Sequence, residues 1–208
     1  MPKKPIQIKL KNILNLSRCN HKKEIIKQSS NIKDAHIYCK INQLSGQIAG
    51  PLIEYYIKNK YNMIKNNSSL CIGDVKHNNK NIEIKISTGG KENNKFNYVQ
   101  LRINHNCDYI LTAYYLSNEN LKNSGELFIF KLNKFNMKNI ILKYGTYAHG
   151  TIQKLGLINK KNLDVPNNDK EYAIRPKYGD NCWCELLKYR IDDILWISFL
   201  LLFLLLIT

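Results

Sequence analysis

The sequence predicts a mixed α/β domain from three observations. A stretch with apolar residues at near-helical spacing comes early; period-two alternation then marks two short strands joined by a polar turn; two apolar, β-rich runs follow and a second amphipathic stretch closes the set. The expected order is helix, two strands, helix, strand, strand, helix, with no internal repeat.

The first helix is placed in "QLSGQIAGPLIEYYIKNKYNMI", entered around Gly50 and Pro51 and ending near Asn66. Proline is well tolerated in a first helical turn, and Leu52, Tyr55, Tyr56 and Ile57 follow at helical spacing. "SLCIGDVKH" and "NIEIKIS" have strand character, and the polar "NNK" between them suits a hairpin turn. "NKFNYVQLRINHNC" reads as a short helix, "DYILTAYYL" and "ELFIFKL" as strands, and "KFNMKNIILKY" as a closing helix.

The 208 residues suffice for one domain with a genuine core plus extensions, divided as a basic N-terminal extension (1–43), the α/β domain (44–190) and an apolar tail (191–208). Thirty-two lysines and arginines against 16 acidic residues leave a formal charge of +16. Such an excess points to a polyanion, because basic side chains release condensed counterions when they bind a phosphate backbone. Compositional drift toward lysine, asparagine and isoleucine supplies the competing explanation. The 1–43 segment is either an arm on nucleic acid or a solvated lead-in. The six cysteines are scattered, which favours a reducing compartment, and neither Cys19 with His21 nor Cys182 with Cys184 has zinc-site spacing.

Three readings compete for "ILWISFLLLFLLLIT" (194–208): a tail anchor, a buried or dimer-interface helix, or a carboxyl end altered by a frameshift. Fifteen helical residues span about 22 Å, short of the roughly 30 Å hydrocarbon core.

The chemistry-bearing stretch is "IGDVKHNNKNIEIKIS" (72–87). Side chains alternate along a strand, so Ile82, Ile84 and Ile86 share one face while Glu83 and Lys85 share the other. A short turn brings Asp74 toward Glu83. Two facing carboxylates repel unless a cation lies between them, and Mg²⁺ accepts two carboxylates with waters and a substrate phosphate. Lys85 would then orient and acidify the attacking water. The bland alternative is an exposed strand face with an ordinary ion pair, worth little energetically. Glu54, sharing a face with Ile57 and Tyr61 on the preceding helix, is expected to point inward.

The Asp74, Glu83-Ile84-Lys85 pattern with Glu54 upstream resembles the PD-(D/E)XK nuclease superfamily, in particular type II restriction endonucleases, over roughly residues 44–158. Gly73 stands where the family often has proline, and Asn104 where its RecB-like branch wants tyrosine. The resemblance implies a restriction-endonuclease-like core, a central mixed sheet flanked by helices in the order αβββαβ. It also implies a Mg²⁺-dependent, sequence-specific endodeoxyribonuclease of restriction-modification type, a homodimer acting on double-stranded DNA. Asp74 and Glu83 become the metal ligands, with Lys85 and Glu54 completing the catalytic set. Lys91 in the Gly-rich loop after the hairpin, Gln100, Arg102 and Asn104 on the expected second helix, and His149 in a loop are the expected DNA contacts, since Arg, Asn and Gln match base edges. The expected location is cytoplasmic, or the nucleus or viral factory for a large DNA virus, with membrane contact through 194–208 as a further expectation. Two alternatives compete: a catalytically inactive DNA-binding module on the same scaffold, and a tail-anchored basic protein on anionic lipid.

Overall fold

A computed structural model describes residues 46–67, 72–89, 94–115, 126–148, 156–165 and 169–191. The expected N-terminal extension and, apart from Ile191, the C-terminal tail lie outside them, as do Lys91 and His149.

The first helix, α1 (Gly46–Lys60), contains Pro51 in its interior rather than at its entrance and stops six residues short of the expected end. Its stop is a Schellman motif: Asn62 takes a left-handed φ of 50°, Met63 N–H donates to the Lys58 carbonyl at 2.8 Å, and the Met63 side chain is buried. The chain is thereby turned into β1 (Ile64–Lys65), a two-residue strand that takes the place of the helix's expected last turn.

β2 (Val75–His77) and β3 (Lys80–Gly89) form the expected hairpin. Asn78 and Asn79 supply the turn with φ values of 49° and 60°; a two-residue turn with both φ positive matches the twist of the strands it joins. β5 (Asp108–Tyr115) and β6 (Glu126–Leu132) coincide with the two apolar runs, and α2 (Lys134–Tyr144) follows with Asn133 as its N-cap, accepting from Asn136 N–H at 2.7 Å. The five-stranded sheet has the order β1-β2-β3-β5-β6. Its first three strands run as an antiparallel meander, β5 is parallel to β3, and β6 is antiparallel to β5. The sheet is mixed and flanked by helices.

The expected helix over 94–107 is a strand instead. β4 (Tyr98–Arg102) pairs with β8 (Glu171–Ile174), which also pairs with β7 (Thr146–Tyr147), giving a second, three-stranded sheet in the order β4-β8-β7. Phe96 and Tyr98 are buried, as are Leu101 and Ile103, and both pairs show strand alternation. Between them the register slips by one residue, so that Tyr98 and Leu101 both point inward. That spacing of three imitates a helix in the sequence; in the fold a β-bulge produces it. Two short helices, α3 (Lys160–Leu163) and α4 (Asn181–Leu187), complete the described elements.

The central sheet is buried on both faces. One carries Val75, Ile82, Ile84, Ile110, Tyr114 and Ile129 against Ile53, Tyr56 and Ile57 of α1. The other carries Tyr109, Leu111, Ala113, Phe128 and Phe130 against the second sheet, α2 and Trp183 of α4. Each fully buried aliphatic or aromatic side chain contributes about 1.5–3 kcal/mol of transfer free energy. Beyond α4 the chain returns along β6, where Lys131 N–H donates to the Tyr189 carbonyl and Ile191 N–H to the Ile129 carbonyl, both at 2.9 Å.

Among the described residues no helix is long and apolar enough to cross a membrane.

Candidate active site

Glu83 and Lys85 sit on β3 with Ile82 and Ile84 turned to the α1 side, so the two charged side chains project toward the opposite, aromatic-rich face. Their side chains are only 14% and 19% exposed, and Lys85 Nζ lies 2.7 Å from Glu83 Oε1. Holding both groups so far from water needs mutual compensation, which this ion pair provides.

Asp74 reaches the centre by a route different from regular hairpin pairing. Asp74 N–H donates to the Ile82 carbonyl at 2.9 Å, while Val75 is also the register partner of Ile82. Two residues of β2's side thus stand opposite one of β3, the count of a β-bulge, and the ladder ends there. The Asp74 carboxylate replaces the next ladder partner: its Oδ2 accepts Ile84 N–H at 2.7 Å. The carboxylate is therefore fixed at the β3 edge, between the face carrying Glu83 and the face covered by α1.

Gly73 makes that bulge possible. Its φ is +95°, and a Cβ there would lie 2.8 Å from both the carbonyl carbon and oxygen of Ile82. Proline, with φ locked near −65°, cannot adopt this conformation. Asn66, directly after β1, clamps the segment: its N–H donates to the Asp74 carbonyl at 2.9 Å and its side-chain amide to the Gly73 carbonyl at 3.2 Å.

Electrostatics tie Glu54 to the same place. Burial first, then the Asp74 charge, with a smaller contribution from Glu83, hold its carboxyl above the ordinary range. Asp74 is likewise raised, by burial and then by the negative charge of Glu83, against the opposing Ile84 N–H bond and Lys85. Three carboxylates from α1, the bulge and β3 thus sense one another. Lys65 of β1 lowers both Glu54 and Asp74, although nothing in the sequence singles it out. On the far side of Glu83 lies the turn between β4 and β5, where burial lowers the His105 pKa while Glu83 opposes the shift. The neighbouring Cys107 thiol is pushed up to about 12 by burial and then Glu83, so it stays protonated and is no nucleophile.

Neighbouring, partly buried carboxylates fit a hard divalent cation, whose charge would offset the burial and, after it, the repulsion that raise Glu54 and Asp74. Among the described residues no group of three or more His, Cys, Asp or Glu side chains is gathered closely enough to hold a metal ion. A two-carboxylate arrangement through Asp74 and Glu83 suits Mg²⁺, which keeps waters and takes substrate phosphate for its remaining positions.

The expected DNA contacts are redistributed by the strand that replaces the helix. Gln100 is exposed on the β4 bulge and Asn104 is exposed in the turn after β4. Arg102 is committed elsewhere: its Nε and Nη2 both donate to Glu171 Oε1, at 2.8 and 2.6 Å, across the β4–β8 pair. Its guanidinium therefore ties two strands together instead of extending from a helix toward a base.

No protein-family model matches the chain, and no curated protein matches its sequence.

Proposed function

We propose that the chain is a Mg²⁺-dependent endodeoxyribonuclease of the PD-(D/E)XK, type II restriction endonuclease-like kind, acting on double-stranded DNA as a homodimer. The observation that carries this reading is the edge of β3, where Asp74, hooked onto Ile84 N–H, is coupled to Glu83 beside Lys85. An ordinary surface ion pair requires neither the low exposure nor the bulge. The order of elements also supports it: one helix, an antiparallel three-strand meander, then a strand parallel to the third. Where that superfamily has a helix before the parallel strand, this chain has β4 in a second sheet.

Asp74 and Glu83 would hold Mg²⁺, which when bound supplies electrophilic stabilisation of charge on the scissile phosphate and a more acidic water. The chain's own groups do the rest. The Lys85 ammonium donates hydrogen bonds to the attacking water and to a phosphate oxygen, fixing the line of attack. The Asp74–Ile84 bond and the Gly73 bulge keep the carboxylate from rotating away. Glu54, held above the ordinary carboxylate range, borders the site where a water can lose its proton. The overall step forms a phosphorus–oxygen bond to water and breaks the bond to the leaving sugar oxygen.

A second reading draws on the 2.7 Å Lys85–Glu83 pair, which occupies one carboxylate oxygen and suits a DNA-binding module without catalysis. Incubation of plasmid DNA with the full chain separates the two. Discrete fragments in Mg²⁺ or Mn²⁺, absent in EDTA and reduced about 10²–10³-fold by Lys85→Ala, are expected. Retention of DNA on the protein without any nicking would establish the binding module.

A further inference from the structure

The bulge of β4 has a structural purpose, since it turns both Tyr98 and Leu101 into the core. That purpose does not call for glutamine. Gln100 occupies the bulge with a φ of 55°, a left-handed conformation that is strained for an L-residue and costs glycine almost nothing. Its side chain is exposed, so no packing offsets the strain. Strain kept at an exposed position, where a smaller residue would remove it, directs attention to what the side chain does outside the fold.

Its location gives that side chain an object. β4 is an edge strand of the second sheet, paired only with β8. It is tied to the central sheet at two points: Asn97 N–H donates to Ser87 Oγ at 2.9 Å, and Tyr109 O–H donates to the Arg102 carbonyl at 2.9 Å. Ser87 lies two residues beyond Lys85 on β3, and Tyr109 is the register partner of Glu83. Gln100 falls between these ties, on the strand that runs alongside the Glu83–Lys85 pair. Three residues before the strand Lys95 forms an isolated backbone bridge with Lys177, and both residues are exposed. Two exposed ammonium groups on neighbouring segments suit the phosphate backbone of a polyanion.

Resting on the DNA-cleaving reading of the site, we propose that Gln100 reads an adenine edge in the major groove of the substrate duplex, with Lys95 and Lys177 against the flanking phosphates. A glutamine amide is matched to adenine, donating to N7 and accepting from the N6 amino group. The recognition sequence of this chain therefore contains an adenine whose discrimination depends on residue 100, while the lysines contribute sequence-independent, salt-sensitive affinity.

Gln100→Gly tests this without endangering the fold, because glycine relieves the left-handed strain. Its thermal midpoint is expected to rise by about 2–4 °C. Duplexes would be selected from a randomised pool by the full chain in Ca²⁺, and cut ends mapped separately in Mg²⁺. The wild-type chain is expected to enrich a motif containing adenine. In Gln100→Gly the preference for adenine at one position of it falls roughly 5- to 150-fold, the equivalent of 1–3 kcal/mol of base discrimination. Lys95→Ala with Lys177→Ala lowers affinity for all sequences alike and flattens its salt dependence. An unchanged motif in Gln100→Gly, a motif without adenine, or no enrichment by the wild-type chain each overturns the proposal. Enrichment lost in Gln100→Gly, without any cutting by the wild-type chain, supports the base contact and refutes the nuclease reading alone.

Discussion

β3 and β5 lie side by side in the centre of the same sheet, parallel, with Glu83 beside Tyr109 and Lys85 beside Leu111. Toward α1 the two strands are alike, presenting Ile82 and Ile84 in one and Ile110 in the other. Toward the second sheet they differ completely. β5 offers Tyr109, Leu111 and Ala113 to a packed aromatic core, whereas β3 offers a carboxylate and an ammonium at the same level. A strand beside β5 gains nothing in stability from charges at positions 83 and 85, because apolar residues of similar size would spare the desolvation of both ions. The difference separates residues that build the core from a charged pair that the core does not require.

Substitutions can break that comparison from either side. The largest stability effect is expected on β5: Leu111→Ala opens a cavity in the core and costs about 2–5 kcal/mol, read as a lower denaturant midpoint at unchanged slope. Lys85→Leu together with Glu83→Leu, at the matching level of β3, should leave stability unchanged or raised while abolishing cleavage. A loss comparable to that of Leu111→Ala would show that the pair is structural.

Gly73→Ala should follow in size. The added methyl meets the Ile82 carbonyl in a backbone conformation unfavourable to alanine, and a cost of roughly 1–3 kcal/mol is expected. Because the clash displaces the bulge, cleavage should fall more than the stability loss accounts for when it is measured well below the unfolding transition. Equal activity per folded molecule would detach the bulge from the site.

The smallest effect concerns pH. The Asp74 carboxyl is raised above its ordinary value of 3.8, so its proton favours the folded chain. That contribution is present in full below the ordinary value and disappears as pH rises through the raised one. At neutral pH the charged Asp74 is thus a burden on the metal-free chain. Asp74→Asn keeps an oxygen for Ile84 N–H and removes the charge; its melting temperature should exceed that of the wild-type chain at pH 7 and converge with it near pH 4. Ca²⁺ should raise the wild-type melting temperature at pH 7 and leave that of Asp74→Asn nearly unmoved. A wild-type chain that gains no stability from divalent ions would remove Asp74 from any metal role.

Much of this pattern is legible in the residues. The alternation of Ile82, Glu83, Ile84 and Lys85 sorts the β3 faces without coordinates, and Asn78-Asn79 marks the turn. The apolar runs of β5 and β6 and the helix of α2 are equally plain. The stretch from Phe96 to Ile103 misleads because Tyr98 and Leu101 stand three apart, as on a helix, and the slip at Gln100 that reconciles this spacing with a strand depends on β8, some seventy residues away. The same distance hides the pairing of Arg102 with Glu171. Regular hairpin pairing brings Asp74 to the correct neighbourhood in the sequence reading, but the turn of its carboxylate into the ladder depends on the backbone at Gly73.

Local order in the chain determined the alternating charges of β3, the tight turn before it and the apolar strands beside it, because periodicity and turn chemistry act between near neighbours. Tertiary structure alone decided that β4 is a strand, that Lys65 borders Asp74, and that two sheets enclose the aromatic core. Those outcomes depend on which distant segments supply hydrogen-bond partners and exclude water, and no window of neighbouring residues contains that information.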